Sequence, residues 1–190
     1  SQPNYGPQAS SNAPDDAFFE RMEETVENMI DERWVALLGE VKKTCLVVRS
    51  GAKPEDVIYV TGALGGSLKS GRHLTFTPRL AQAQFLVEHF KPSSMMDISD
   101  GLAGDLNHIL AASKVGAQLW EQCIPCHKGV SLSQALGDGE DYELLFTLSA
   151  QQARKLDQWQ IKNKSMFFYA IGKITINRKQ TINAKSFTHF

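Results

Sequence analysis

The chain is poor in the features that mark membrane, nucleic-acid-binding and disulfide-framed proteins. No apolar run in its 190 residues approaches the roughly 18–20 needed to span a bilayer. The polar opening SQPNYGPQASSNAPDD has neither the basic nor the apolar region of a signal peptide, so a soluble, cytoplasmic protein is expected. Twenty Lys and Arg against 21 Asp and Glu leave a net charge of -1, with no basic footprint for DNA or RNA. Only three cysteines occur. Two of them form Cys123-Ile-Pro-Cys126-His127, the spacing of c-type haem attachment. That chemistry requires export, and a structural zinc site requires a second Cys pair. The pattern therefore reads as a loop entered through Ile124-Pro125, with two free thiols and a surface histidine.

A composition of 42% hydrophobic and 22% charged residues supports a sizeable core, as one domain or one and a half. Residues 1–16 are Pro-, Gly-, Ser- and Asn-rich and read as a flexible tail. From Ala17 to Trp34 the apolar residues recur at helical spacing, predicting an amphipathic helix capped by Asp15 or Asp16. Strands are predicted at Thr44–Arg49, Val57–Thr61, Gly116–Trp120, Glu143–Leu148, Met166–Ile171 and Lys173–Ile176. Helices are predicted after Pro78, with Leu80, Phe85, Leu86 and Phe90 inward, from Gly101, and over Ala150–Trp159, with a helical turn at Val130–Leu136. Residues 61–67 form a Gly-rich loop without the signature of a P-loop or a dinucleotide fold, and read as a tight turn. Strand pairs alternate with helices without a regular βαβ cycle. The expected class is α+β, a layered mixed or antiparallel sheet with packed helices.

Two acidic stretches carry the chemistry. Asp97, Ser99 and Asp100 sit where an apolar strand turns into the helix of Leu102, Leu106, Ile109 and Leu110. A helix N-terminus favours anions and clustered carboxylates favour Mg2+. One cap needs one residue, so this set exceeds a capping role. Asp105 reads as an exposed helical carboxylate, and the five histidines show no metal-ligand spacing. The second stretch places Asp138, Glu140, Asp141 and Glu143 just before a buried strand. Such crowding calls for a positive partner unless the segment is a solvated turn.

The strings MMDISDGLAGDLNHILAASKVGAQL and ALGDGEDYELLFTL resemble the C-terminal half of bacterial thiamine-monophosphate kinase, in the superfamily that includes aminoimidazole ribonucleotide synthase. RSGAKPEDVIYVTGALGGS is similar to the passage joining that family's two domains, and AIGKIT and SFTHF to its last strand and tail. The resemblance implies Mg2+ at Asp97 and Asp100, ATP contacts from Ser99 and Arg49, and thiamine monophosphate contacts from Glu143 and Phe187. It implies no acid or base residue, since phosphoryl transfer rests on positioning and charge neutralisation. A homodimer is implied as well. Residues 17–70 are then an N-terminal helix with a remnant of the nucleotide-binding domain, and 71–190 the C-terminal substrate and metal domain. The family's Gly-Asp-Asp motif and Gly-Gly-Asp-Thr loop do not occur among the 48 residues before Arg49, and Gly137-Asp138-Gly139 replaces the usual Ser-Gly-Gly. A non-catalytic binding or dimerisation module is the alternative, and another enzyme of the superfamily a third.

Overall fold

A computed structural model describes residues 41–177 and the backbone of 180–182. The predicted tail, the Ala17–Trp34 helix and Phe187 lie outside the described residues. The described residues from Lys42 onward form one compact unit.

Its centre is a six-stranded sheet in the order β2-β4-β1-β5-β3-β6. The strands are β1 (Val57–Val60), β2 (Ser94–Asp97), β3 (Gly116–Leu119), β4 (Leu144–Leu148), β5 (Tyr169–Thr175) and β6 (Gln180–Ile182). All neighbouring pairs are antiparallel except β3 and β6, so the sheet is mixed, as expected of the α+β class. The expected boundary at residue 70 is not there. β1 pairs with β4 on one side and β5 on the other, which folds residues 57–60 into the same sheet as the later strands.

Helices cover both faces, which explains why the strands read as nearly continuous apolar runs. Along β1, Ile58 and Val60 face one cluster and Tyr59 the other; along β4, Leu145 and Phe146 divide in the same way. The first cluster takes Leu102, Leu106, Ile109 and Leu110 from α3 (Leu102–Ser113) and Ala135 and Leu136 from α4 (Leu132–Gly137). Each of these leucine and isoleucine side chains stabilises the fold by about 1.5–3 kcal/mol on burial. The second cluster packs Leu86 and Phe90, in and just after α2 (Leu80–His89), against Ala153 and Leu156 of α5 (Ala150–Lys162). Preceding these is the single turn α1 (Ser67–Ser70), which leaves the Gly-rich segment.

Three expectations of local structure change. Residues 44–49 form no strand: a 3-10 turn spans Lys43–Cys45, and Leu46 and Val48 are exposed, so their alternation has no core to face. Leu80 is 69% exposed rather than inward. The two strands predicted around Gly172 are one. A Cβ at Gly172 would lie 2.4 Å from the Gln118 carbonyl oxygen, so this glycine marks a close approach of β3 and not a break.

Candidate functional site

Because β2 and β4 run antiparallel with Asp97 opposite Leu144, the end of β2 and the start of β4 meet at one end of the sheet. The two acidic stretches are therefore neighbours in space. Ile98 N–H donates to the Glu143 carbonyl (2.8 Å), Tyr142 N–H to the Ile98 carbonyl (2.9 Å) and Glu140 N–H to the Ser99 carbonyl (2.8 Å). The approach is so close that a Cβ on Gly139 would sit 2.4 Å from the Ser99 carbonyl oxygen. Glu140 and Tyr142 both adopt positive φ, 65° and 53°, a conformation non-glycine residues enter at a cost.

Asp97 and Asp100 are exposed at this corner and Ser99 is half-buried. Gly101, at φ 100°, turns the chain into α3. Asp105, expected to be exposed, is 1% exposed. One of its oxygens accepts the N–H groups of Ser99 (2.9 Å) and Asp100 (3.0 Å). Its other oxygen, Oδ1, is buried without a hydrogen-bond partner. Burial raises its pKa, and the charges of Asp100 and Asp97 add to that, against the two N–H bonds. Ligand atoms of Asp100, Asp105 and His108 lie within 4.8 Å of one another. The i, i+3 spacing of Asp105 and His108 on one helix face was the available signal for this grouping.

The second acidic stretch receives its positive charge from the chain itself. Glu143, 5% exposed, accepts from Arg79 Nε (2.8 Å) and Nη2 (2.5 Å) in a two-pronged ion pair and from the Thr61 hydroxyl (2.6 Å). Asp141 accepts the Gly65 N–H (2.7 Å) and pairs with Arg72 (3.3 Å), while Asp138 accepts the Gly66 N–H (2.9 Å). The Gly-rich loop is therefore a turn in which the Gly65 and Gly66 N–H groups are committed to these acids, while the Leu64 N–H bonds the Pro125 carbonyl. Gly62 is the point of closest approach: a Cβ there would fall 2.5 Å from Glu143 Oε1.

Arg72, Arg79, His127, Asp141, Tyr142 and Glu143, with Thr75, Phe76 and Thr77, line a cleft of about 180 Å3. Phe76 stacks on Tyr142 at 4.4 Å between ring centres. His127 is half-buried here rather than a plain surface residue; burial, then the Arg72 charge, pushes its pKa down. Cys123 and Cys126 are free thiols, as expected. Arg49 lies beside β2: the carbonyl of the preceding Val48 accepts the Met95 N–H (3.3 Å), two residues before Asp97, and its own carbonyl accepts the Ser113 hydroxyl (3.3 Å) at the end of α3. Sequence reasoning missed Arg72, Arg79 and Thr61. Nothing in the local pattern sets these residues apart, and only the unanswered acids of the second stretch signalled that a positive partner existed.

The sheet order and the helices on both faces define an α+β domain whose fold is shared with solved thiamine-monophosphate kinases and with PurL of T. maritima. No family model matches the chain. It is 34% identical over 192 residues to the thiamine-monophosphate kinase of Buchnera aphidicola subsp. Schizaphis graminum, covering 82% of this chain and 59% of that protein. The crystal structure of thiamine-monophosphate kinase from Stenotrophomonas maltophilia K279a matches with a TM-score of 0.62 and 26% identity, over 72% of this chain and 52% of that one. AaThiL complexed with AMPPCP and TMP shares the fold at a TM-score of 0.59 and 24% identity, over 75% of this chain and 52% of that one. Over the aligned stretch, this chain belongs to the thiamine-monophosphate kinase family. It spans about half the length of the curated relatives it matches.

Proposed function

We propose that this chain serves the ATP-dependent phosphorylation of thiamine monophosphate to thiamine diphosphate. The observation that supports this most is the meeting of two acidic corners at one end of the sheet, one with open carboxylates and the other lining a cleft. No hydrogen bond or ion pair among the described residues engages the Asp97 or Asp100 carboxylates. Ligand atoms of Asp100, of the buried Asp105 and of His108 lie within 4.8 Å of one another, Asp97 stands exposed at the same corner outside that group, and such carboxylates are hard oxygen donors of the kind Mg2+ takes. Asp97 and Asp100 would hold the ion, which when bound neutralises phosphate charge.

Ser99 at the same corner and Arg49 contact ATP in this reading, and Glu143 and Phe187 contact thiamine monophosphate. The phosphate oxygen of thiamine monophosphate attacks the terminal phosphorus of ATP in line as the bond to the bridging oxygen breaks and ADP leaves, and the residues contribute position and charge rather than proton transfer. The reading extends to a homodimer in the cytoplasm; no helix among the described residues is long and apolar enough to cross a membrane.

Incubation with Mg-ATP and thiamine monophosphate, followed by assay of the diphosphate, tests the proposal. Product is expected, and Asp97→Asn should abolish it. Binding of thiamine monophosphate without product at high protein concentration would overturn catalysis in favour of a non-catalytic binding module.

A further inference from the structure

We propose that Arg79 determines specificity by exchanging partners. In the structure it neutralises Glu143, and when a ligand carrying both a cationic ring and a phosphate enters, Glu143 takes the ring while Arg79 turns to the phosphate. This rests on the substrate reading above and adds to it a residue and a selection rule.

Glu143 as it stands is a poor lure for a cation. Its charge is cancelled by a two-pronged guanidinium contact, and the Thr61 hydroxyl takes a further lone pair. The two ends of the pair differ in freedom. The Glu143 side chain is 7% exposed and the Arg79 side chain 29%, so the arginine is the end able to swing into the cleft it lines. Arg72 is tied to Asp141 and to the Gly65 carbonyl (2.9 Å) and keeps its place as a second cation.

Separating a buried ion pair leaves an uncompensated charge, and that is costly. A purely anionic ligand would draw Arg79 away and strand Glu143 in its buried position. A purely cationic ligand would pair with Glu143 but leave Arg79 without an anion. A ligand with both signs re-pairs both groups, and a guanidinium suits a phosphate as well as it suits a carboxylate. The cleft therefore selects a phosphorylated cation over either half alone.

Calorimetric titration of the full chain with thiamine monophosphate, thiamine and inorganic phosphate provides the test. Wild type should prefer thiamine monophosphate over thiamine. Arg79→Gln should lose about tenfold of that preference, the value of one charge-assisted contact, while binding thiamine at least as well as wild type. Glu143→Gln releases Arg79 and should bind inorganic phosphate about tenfold more tightly than wild type; this arm decides the matter if Arg79→Gln does not fold. Equal losses for thiamine and its monophosphate in Arg79→Gln, or unchanged phosphate affinity in Glu143→Gln, would overturn the exchange and leave the substrate reading standing. Failure of wild type to bind thiamine monophosphate would overturn the substrate reading and the exchange with it.

Discussion

Asp105 offers the sharpest test of how the open acidic corner is held in shape. Its Oδ2 accepts two consecutive backbone N–H groups, those of Ser99 and Asp100, at 2.9 and 3.0 Å. Asp105→Ala removes the acceptor for both. A hydrogen bond to a charged group contributes about 1.5–3 kcal/mol, and a donor left without a partner costs a similar amount. Two effects reduce the sum. Ser99 is half-buried and Asp100 exposed, so water reaches the released donors, and the alanine also relieves the unpartnered, desolvated Oδ1. A net loss of about 2–3 kcal/mol is expected, which for a domain of this size lowers Tm by roughly 4–12 °C. Asp105→Asn keeps a carbonyl oxygen for both N–H groups and removes the buried charge, so it should stay within about 1 kcal/mol of wild type. Thermal unfolding of the three proteins at neutral pH separates these cases. If Asp105→Asn fell as far as Asp105→Ala, or if neither moved, the carboxylate would not be the clamp described.

Gly139→Ala should destabilise the fold by about 2–4 kcal/mol and open the junction between the two corners, because its Cβ would lie 2.4 Å from the Ser99 carbonyl oxygen; an unchanged urea midpoint would refute this. Asp141 supplies a pH dependence: burial raises its pKa above the ordinary 3.8, outweighing the Gly65 N–H and Arg72, with Glu143 and Asp138 adding to the rise. The folded protein therefore holds this proton more tightly than the unfolded chain. The cost of the charged form is absent below pH 3.8 and sets in as pH climbs from there to the raised folded value, above which it is constant. The stability of wild type minus that of Asp141→Asn, measured by denaturant titration, should accordingly fall with rising pH across that window, and a rise would refute the assignment.

The fold was legible where one periodicity answered to one surface. Leu102, Leu106, Ile109 and Leu110 repeat at helical spacing, and all four are buried against the sheet. β4 was legible as an apolar run interrupted only by Thr147 because both of its faces are covered. Residues 44–49 failed for the complementary reason. Their alternation matches a strand, but pairing depends on a neighbouring edge, and the one ladder-like contact there, Met95 N–H to the Val48 carbonyl at 3.3 Å, does not extend into a strand. Gly172 misled in the opposite direction, because a glycine that lets two backbones meet looks in sequence like one that ends a strand.

The site was legible as charge but not as a circuit. Every acid in the two stretches was visible, but the crowding of the second left a cation and a solvated turn both open, and the cation is supplied across long separations in sequence: Arg79 lies 64 residues from Glu143 and Arg72 lies 69 from Asp141. No local pattern encodes such a pairing. It follows from β1 and β4 lying side by side, which brings the segment after β1 against the loop before β4. The same topology sorts chemically identical carboxylates into two kinds. Asp105, Asp141 and Glu143 are buried and bonded to N–H groups, a hydroxyl or guanidinium of the chain itself. Asp97 and Asp100 stand exposed with no such partner among the described residues. A cation from outside gains most where the chain has supplied none, which is the physical ground for the Mg2+ site proposed at the open pair at the end of β2; under the exchange proposed for Arg79, Glu143 serves a cationic ligand only after the guanidinium has left it.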